Sequence, residues 1–101
     1  MIATVFTADE LRALLKEFKE QHGAEYHLSA LGYFGSYARG EATPESDVDV
    51  VFQTDRPDLW LTSLMKQDLE ALLQKSVDVV RFRETLSPRL KARIEREAQY
   101  V

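Results

Sequence analysis

The 101-residue chain contains no cysteine, which excludes a disulfide framework, a thiolate metal site and a cysteine nucleophile. It is also short of positive charge: 13 lysines and arginines face 17 aspartates and glutamates, giving a formal net charge of −4. Binding of nucleic acid through bulk phosphate neutralisation needs clustered cations in excess, so direct nucleic-acid binding is not expected, although a local basic patch can still exist. No stretch approaches the ~20 consecutive apolar residues of a membrane span. The opening MIATVFTADE has no basic start followed by an apolar run. The default expectation is a soluble cytoplasmic protein without membrane contact. Repeats, low-complexity segments and internal linkers are absent as well. What is present, 45% hydrophobic residues, suffices for one core and one domain over residues 1–101, with no room for a second, substrate-binding domain.

Along the chain, Thr7 followed by Glu10 is a capping-box signature, and Leu11, Leu14, Leu15 and Phe18 recur at helical spacing, which predicts a helix from about 8 to 22 that ends at Gly23. Its other face, with Arg12, Lys16, Glu17, Lys19 and Glu20, reads as solvated. Residues 25 to 34, EYHLSALGYF, end in an apolar run and predict a strand. Pro57 suits a first helical position, and Leu59, Trp60, Leu64, Met65, Leu69, Leu72 and Leu73 predict a helix to about residue 75, with Trp60 and Met65 read as core. His22 and His27 lack a second ligand at metal spacing. Ser87-Pro88 starts a last helix whose apolar face is Leu90, Ile94 and Ala98. Arg89, Lys91, Arg93 and Arg96 make that helix locally basic. The simplest reading is a solvated face; the competing ones are a docking surface for an acidic partner or a phosphate contact by one arginine.

The chemistry concentrates in residues 32 to 52, GYFGSYARGEATPESDVDVVF. A strand entering Gly35-Ser36, followed by a short helical turn to Gly40, points backbone N–H groups and the Ser36 hydroxyl out of a strand-to-helix junction, where an anion is favoured. Glu41 to Ser46 is a connection. It leads into a strand over 47 to 53 in which Asp47 and Asp49 alternate with Val48 and Val50. The period of two puts both carboxylates on one face, with Cα atoms roughly 6.5 to 7 Å apart. Like charges that close repel unless a cation neutralises them, and a divalent metal is the expected answer. A third strand, SVDVVRF at 76 to 82, carries Asp78 among valines. A lone carboxylate there is costly unless paired or bound to metal. The alternatives are an exposed sheet edge, an ion pair with Arg81 or Arg39, or a third acid facing the first two, which is the preferred reading.

Gly35-Ser36, then ten residues, then Asp47-Val48-Asp49, with Asp78 on a later strand, resembles the polymerase-β-like nucleotidyltransferase superfamily. With GSYARG included, the whole chain resembles its smallest branch, the minimal nucleotidyltransferases that pair with HEPN-domain toxins as antitoxins. The resemblance implies an α/β fold: a small mixed sheet with strands near 26–34, 46–53 and 76–82, with or without a further edge strand, packed against helices. It implies that Gly35 and Ser36 hold the β/γ-phosphates of ATP. It assigns Asp47 and Asp49 to two magnesium ions, and Asp78 to the metal near the attacking hydroxyl or to that hydroxyl's proton. Arg39 would contact phosphate or pair with an acid.

The physical demands agree, because nucleotidyl transfer rests on in-line positioning and on neutralising phosphoryl charge. Two metals held by acids on adjacent strands can do this, and Mg²⁺ favours the oxygen ligands available here. With only a catalytic core, the acceptor is expected on another chain: by resemblance, a tyrosine hydroxyl of a HEPN ribonuclease toxin that receives AMP. The alternatives are a non-catalytic antitoxin that neutralises by steric complex formation, and nucleotidyl transfer to a small molecule or a nucleic-acid end.

Overall fold

A computed structural model describes residues 5–101. Helix α1, Ala8–His22, begins as the sequence dictates: the Thr7 hydroxyl accepts from the Glu10 amide at 3.0 Å while the Thr7 amide donates to the Glu10 carboxylate at 2.8 Å. These two bonds satisfy amides that the helix start would otherwise leave unpaired. Leu11, Leu15 and Phe18 form its buried stripe. The chain turns through Gly23 and a left-handed His27 (φ 54°), so strand β1 runs Leu28–Phe34, two residues later than expected. Tyr26 is drawn out of the strand to stack on Phe18, ring centroids 6.1 Å apart, and its hydroxyl donates to Asp68.

A four-residue helix, α2 (Ser36–Arg39), precedes β2, Val48–Thr54. Helix α3 spans Leu59–Leu73, and the assignment of Pro57 to its first position is corrected. Asp58, in extended conformation, is the cap; its carboxylate accepts from the amides of Trp60 at 2.8 Å and Leu61 at 3.1 Å, and this bond pair sets the start. The expected stripe narrows with it. Met65, Leu69 and Leu73 are buried, but Trp60, read as core, is 72% exposed and Leu59 is 88% exposed. Strand β3 is Val77–Arg81; α4, Pro88–Glu97, is capped by Ser87 as expected; and a two-residue strand β4, Gln99–Tyr100, follows.

The sheet order is β3-β2-β1-β4. Strands β1 and β2 are antiparallel, as are β1 and β4, whereas β2 and β3 are parallel and joined through α3. This is the expected small mixed sheet, and β4 is its further edge strand. Alternation along β2 divides the core: Val48, Val50 and Phe52 join the side chains of α1 and α3 on one face. Val51 turns to the other face, where Phe34 and Ile94 bury against it and fix α4. Full burial of an isoleucine contributes ~1.5–3 kcal/mol, and Leu86, Leu90 and Ala98 pack beside Ile94 to seat α4 against the sheet. Asp49, odd-numbered like Val51, emerges on this α4 face.

Candidate active site

Three segments build the site: the β1–α2 turn, the start of β2, and β3. Gly35 has φ 76° and ψ −149°, a region open essentially to glycine alone. The space is closed too. A Cβ there would overlap the Asp49 Oδ2 atom and lie 3.1 Å from its carboxyl carbon and 3.2 Å from Arg93 Nη2. The turn therefore presses its bare backbone against the acid, and Ser36, half-buried, follows as the first residue of α2.

Asp49 lies between Phe34 on β1 and Asp78 on β3, in register with both. Neighbouring strands are ~4.8 Å apart, so the Asp49 and Asp78 side chains stand side by side on one face. Asp78 is exposed on the edge strand, as one sequence alternative held, and it is in register with Asp49; the preferred reading had it facing Asp47 as well, which lies outside that register. Asp78 makes no ion pair with Arg81 or Arg39 among the described residues. Asp47 is exposed and lies one residue before β2 rather than inside it.

The Asp49 carboxyl is pushed above its ordinary range, first by burial and then by the Asp78 charge, with Asp47 adding to it; Arg93, 3.8 Å away, and Arg39 oppose the rise only in part. An all-oxygen donor set of this kind, with Asp49 half-buried and Asp47 and Asp78 exposed, fits a hard divalent cation. The acids stand open. Among the described residues, the group whose ligand atoms close to within 4.8 Å of one another is a different one, His22, Glu25 and Asp68. His22 thus has neighbouring ligands after all: Glu25, three residues on in the turn that follows α1, and Asp68, brought across from α3.

Arg39 takes the acid-pairing option. Its Nε lies 3.0 Å from Glu41 and its Nη1 lies 3.0 Å from Glu97. Glu97, on the last turn of α4, sits where the helix dipole disfavours an acid. Its surroundings offset this, since Oε1 also accepts from the Gly35 amide at 3.2 Å and from Arg93 Nε at 3.4 Å. Burial alone would raise the Glu97 carboxyl; the Gly35 N–H, Arg39 and Arg93 together hold it below the usual range. Arg93 also lies over the Phe34 ring, 5.5 Å from its centroid.

A cleft of about 420 Å³ opens over the acids, lined by Asp49, Asp78, Arg93, Lys66, Thr62 and Leu90 among others. Gly35, Ser36 and Asp47 are not among its lining residues; Gly35 reaches the site through its contact with Asp49. Sequence reasoning missed Lys66 and Glu97, and named Arg93 only as one of several basic residues. Its signal was the position of Arg93 beside Ile94 and one turn from Leu90, which ties it to the buried face of α4.

A mixed sheet with helices on both faces, acids on two adjacent strands and a Gly-Ser turn pressed against one of them has the architecture of the nucleotidyltransferase class. The model of the nucleotidyltransferase domain matches residues 11–101, and the chain belongs to that family and is a nucleotidyltransferase. The protein adenylyltransferase MntA of Thermococcus cleftensis is 33% identical over 98 residues, covering 96% of this chain and 98% of that one. A solved structure described as a candidate minimal nucleotidyltransferase is 33% identical, covers 95% of this chain and 97% of its own, and superposes with a TM-score of 0.76. A complex described as tri-AMPylated Shewanella oneidensis HEPN toxin with MNT antitoxin matches at 20% identity and a TM-score of 0.59, over 92% of this chain and 66% of that one. At that identity it bears on the fold alone. No helix among the described residues is long and apolar enough to cross a membrane.

Proposed function

We propose that this nucleotidyltransferase transfers AMP from ATP to a tyrosine hydroxyl of a HEPN-domain ribonuclease toxin and thereby acts as its antitoxin. The observation that carries the reading is the in-register pair Asp49–Asp78 beside the Gly35-Ser36 turn, with Arg93 and Lys66 in the same cleft. A relative named a protein adenylyltransferase supports a protein as the acceptor class; the HEPN toxin is the acceptor that the resemblance of the sequence implies.

In this reading the turn at Gly35-Ser36 holds the β/γ-phosphates, while Lys66 and Arg93 offset charge on the phosphoryl oxygens. Asp47, Asp49 and Asp78 would hold magnesium, which when bound neutralises phosphate charge and makes the acceptor hydroxyl more acidic. The tyrosine oxygen attacks the α-phosphorus in line, its proton passes to Asp78, and the bond from the α-phosphorus to the bridging oxygen breaks to release pyrophosphate. Asp78 suits the proton because it is the exposed member of the pair, facing the solvent side from which a second protein must approach. The fold leaves this side open.

The test is incubation with labelled ATP, Mg²⁺ and a purified HEPN-domain protein. Label should appear on that protein and vanish with Asp47→Ala combined with Asp49→Ala. Full neutralisation of the toxin by that double variant, with no label transferred, would refute the enzymatic reading in favour of steric inhibition.

A further inference from the structure

The N-terminal turn of α3 exposes two large apolar side chains in succession, Leu59 at 88% and Trp60 at 72%. A single exposed leucine needs no explanation, whereas a tryptophan beside it leaves an area in water that folding has not used. Neither side chain starts the helix, since Asp58 does that, so local structure does not require them.

Leu59 lines a second cleft of about 410 Å³ together with Asp58, Thr62, Val79, Arg81 and Arg83 among others, and Trp60, its sequence neighbour, stands exposed outside that lining. Thr62 and Val79 also line the cleft over Asp49 and Asp78, so the two form one trough running from the acids to the start of α3. The charge of its far end is positive. Neither Arg81 nor Arg83 is in an ion pair with the described residues, and the Asp58 carboxylate is engaged with the amides of Trp60 and Leu61. In a chain of net charge −4, two arginines without acidic partners at the mouth of the catalytic trough favour an acidic occupant.

We propose that this trough is the acceptor-docking surface: an acidic segment of the acceptor protein lays an apolar side chain against Leu59 and Trp60, pairs with Arg81 and Arg83, and so carries its hydroxyl to Asp78. The inference rests on the transfer reading above and names the part of the chain that selects the acceptor. A protein fits better than a nucleic acid. The most exposed side chain is aliphatic, and the surplus of acids over the whole chain opposes a polyphosphate.

Because Trp60 is the chain's one tryptophan, 5-fluorotryptophan labelling gives a single ¹⁹F resonance at the proposed surface. That resonance should shift when a purified HEPN-domain protein is added and stay in place with ATP and Mg²⁺ alone. Calorimetric affinity for the same protein should fall about tenfold or more in Trp60→Ser and in Arg83→Glu, as expected of anchor positions, with nucleotide affinity and Tm unchanged. A resonance unmoved by saturating HEPN-domain protein overturns the proposal. So do variants that bind within twofold of the parent, or a resonance that moves with a single-stranded RNA oligonucleotide instead. Asp49→Asn separates this from the function itself, since it should abolish transfer and leave docking intact. Docking through Trp60 without transfer in the parent chain would refute the transfer reading alone. Unimpaired transfer by the Trp60 and Arg83 variants would refute the docking surface alone.

Discussion

Replacing Gly35 by alanine tests the closest approach in the site. Two costs are written in its geometry. The φ of 76° with ψ of −149° lies where a side chain costs about 1–3 kcal/mol in backbone strain. The added Cβ would also overlap Asp49 Oδ2, so the carboxylate would have to retreat by well over an ångström, and Arg93 Nη2 crowds the same Cβ at 3.2 Å. The sum is about 2–4 kcal/mol. In a domain of this size each kcal/mol moves Tm by roughly 4–8 °C, so a loss on the order of 10–30 °C is expected by differential scanning calorimetry. A double-mutant cycle with Asp49→Ala separates the two costs. Removing the Asp49 carboxylate relieves the overlap but not the backbone strain, so the pair should couple by about 1 kcal/mol, with Gly35→Ala costing less in the Asp49→Ala background. Strict additivity would refute the contact between turn and acid. An alanine variant that kept its Tm would refute the strained backbone as well.

Asp49→Asn should abolish transfer while raising the Tm of the metal-free protein, because burial and the Asp78 charge disfavour the ionised carboxylate. With its folded pKa raised, Asp49 contributes stability below the ordinary carboxylate range that is lost as pH rises through that raised value, so the gain in Tm should be larger at pH 7 than at pH 4. Thermal melts across that range check it, and a lower Tm for the variant at pH 7 would contradict it. Glu97→Gln should behave in the opposite sense: the held-down Glu97 carboxyl gives stability above the ordinary range and loses it as pH falls through its lowered pKa. Its Tm deficit should therefore be present at pH 7 and vanish in strong acid. An equal deficit at both would mean that the charge pairing with Arg39 and Arg93 contributes nothing.

Much of the site was legible because its rules are local. Thr7 with Glu10, and Ser87 with Pro88, mark helix starts within four residues, and the period of two in DVDVV separates an acidic face from an apolar one without reference to the rest of the chain. The misreadings come from competition or from distance. Pro57 and Asp58 both signal a helix start, and only the bonds to the Trp60 and Leu61 amides decide between them. Periodicity put Trp60 on an apolar stripe, but a stripe does not say how far the neighbouring layer reaches, and here partial cover begins at Leu61 and full burial at Met65. Glu97 meets Gly35 across 62 residues of sequence, and His22 meets Asp68 only through tertiary folding. The two-residue β4 is too short to carry an alternation of its own.

The parallel register of β2 and β3 has one more consequence. The acid pair is bracketed by backbone bonds, Val48 N to Ser76 O at 3.0 Å and Phe82 N to Phe52 O at 2.8 Å, and no side chain of α3 takes part in them. The spacing of Asp49 and Asp78 is therefore inherited with the backbone, whereas Leu59, Trp60, Arg81 and Arg83 are free to drift. Chemistry and recognition sit on the same hundred residues but vary separately, so a lineage of such chains can change acceptors by surface substitution alone and keep its catalytic geometry throughout.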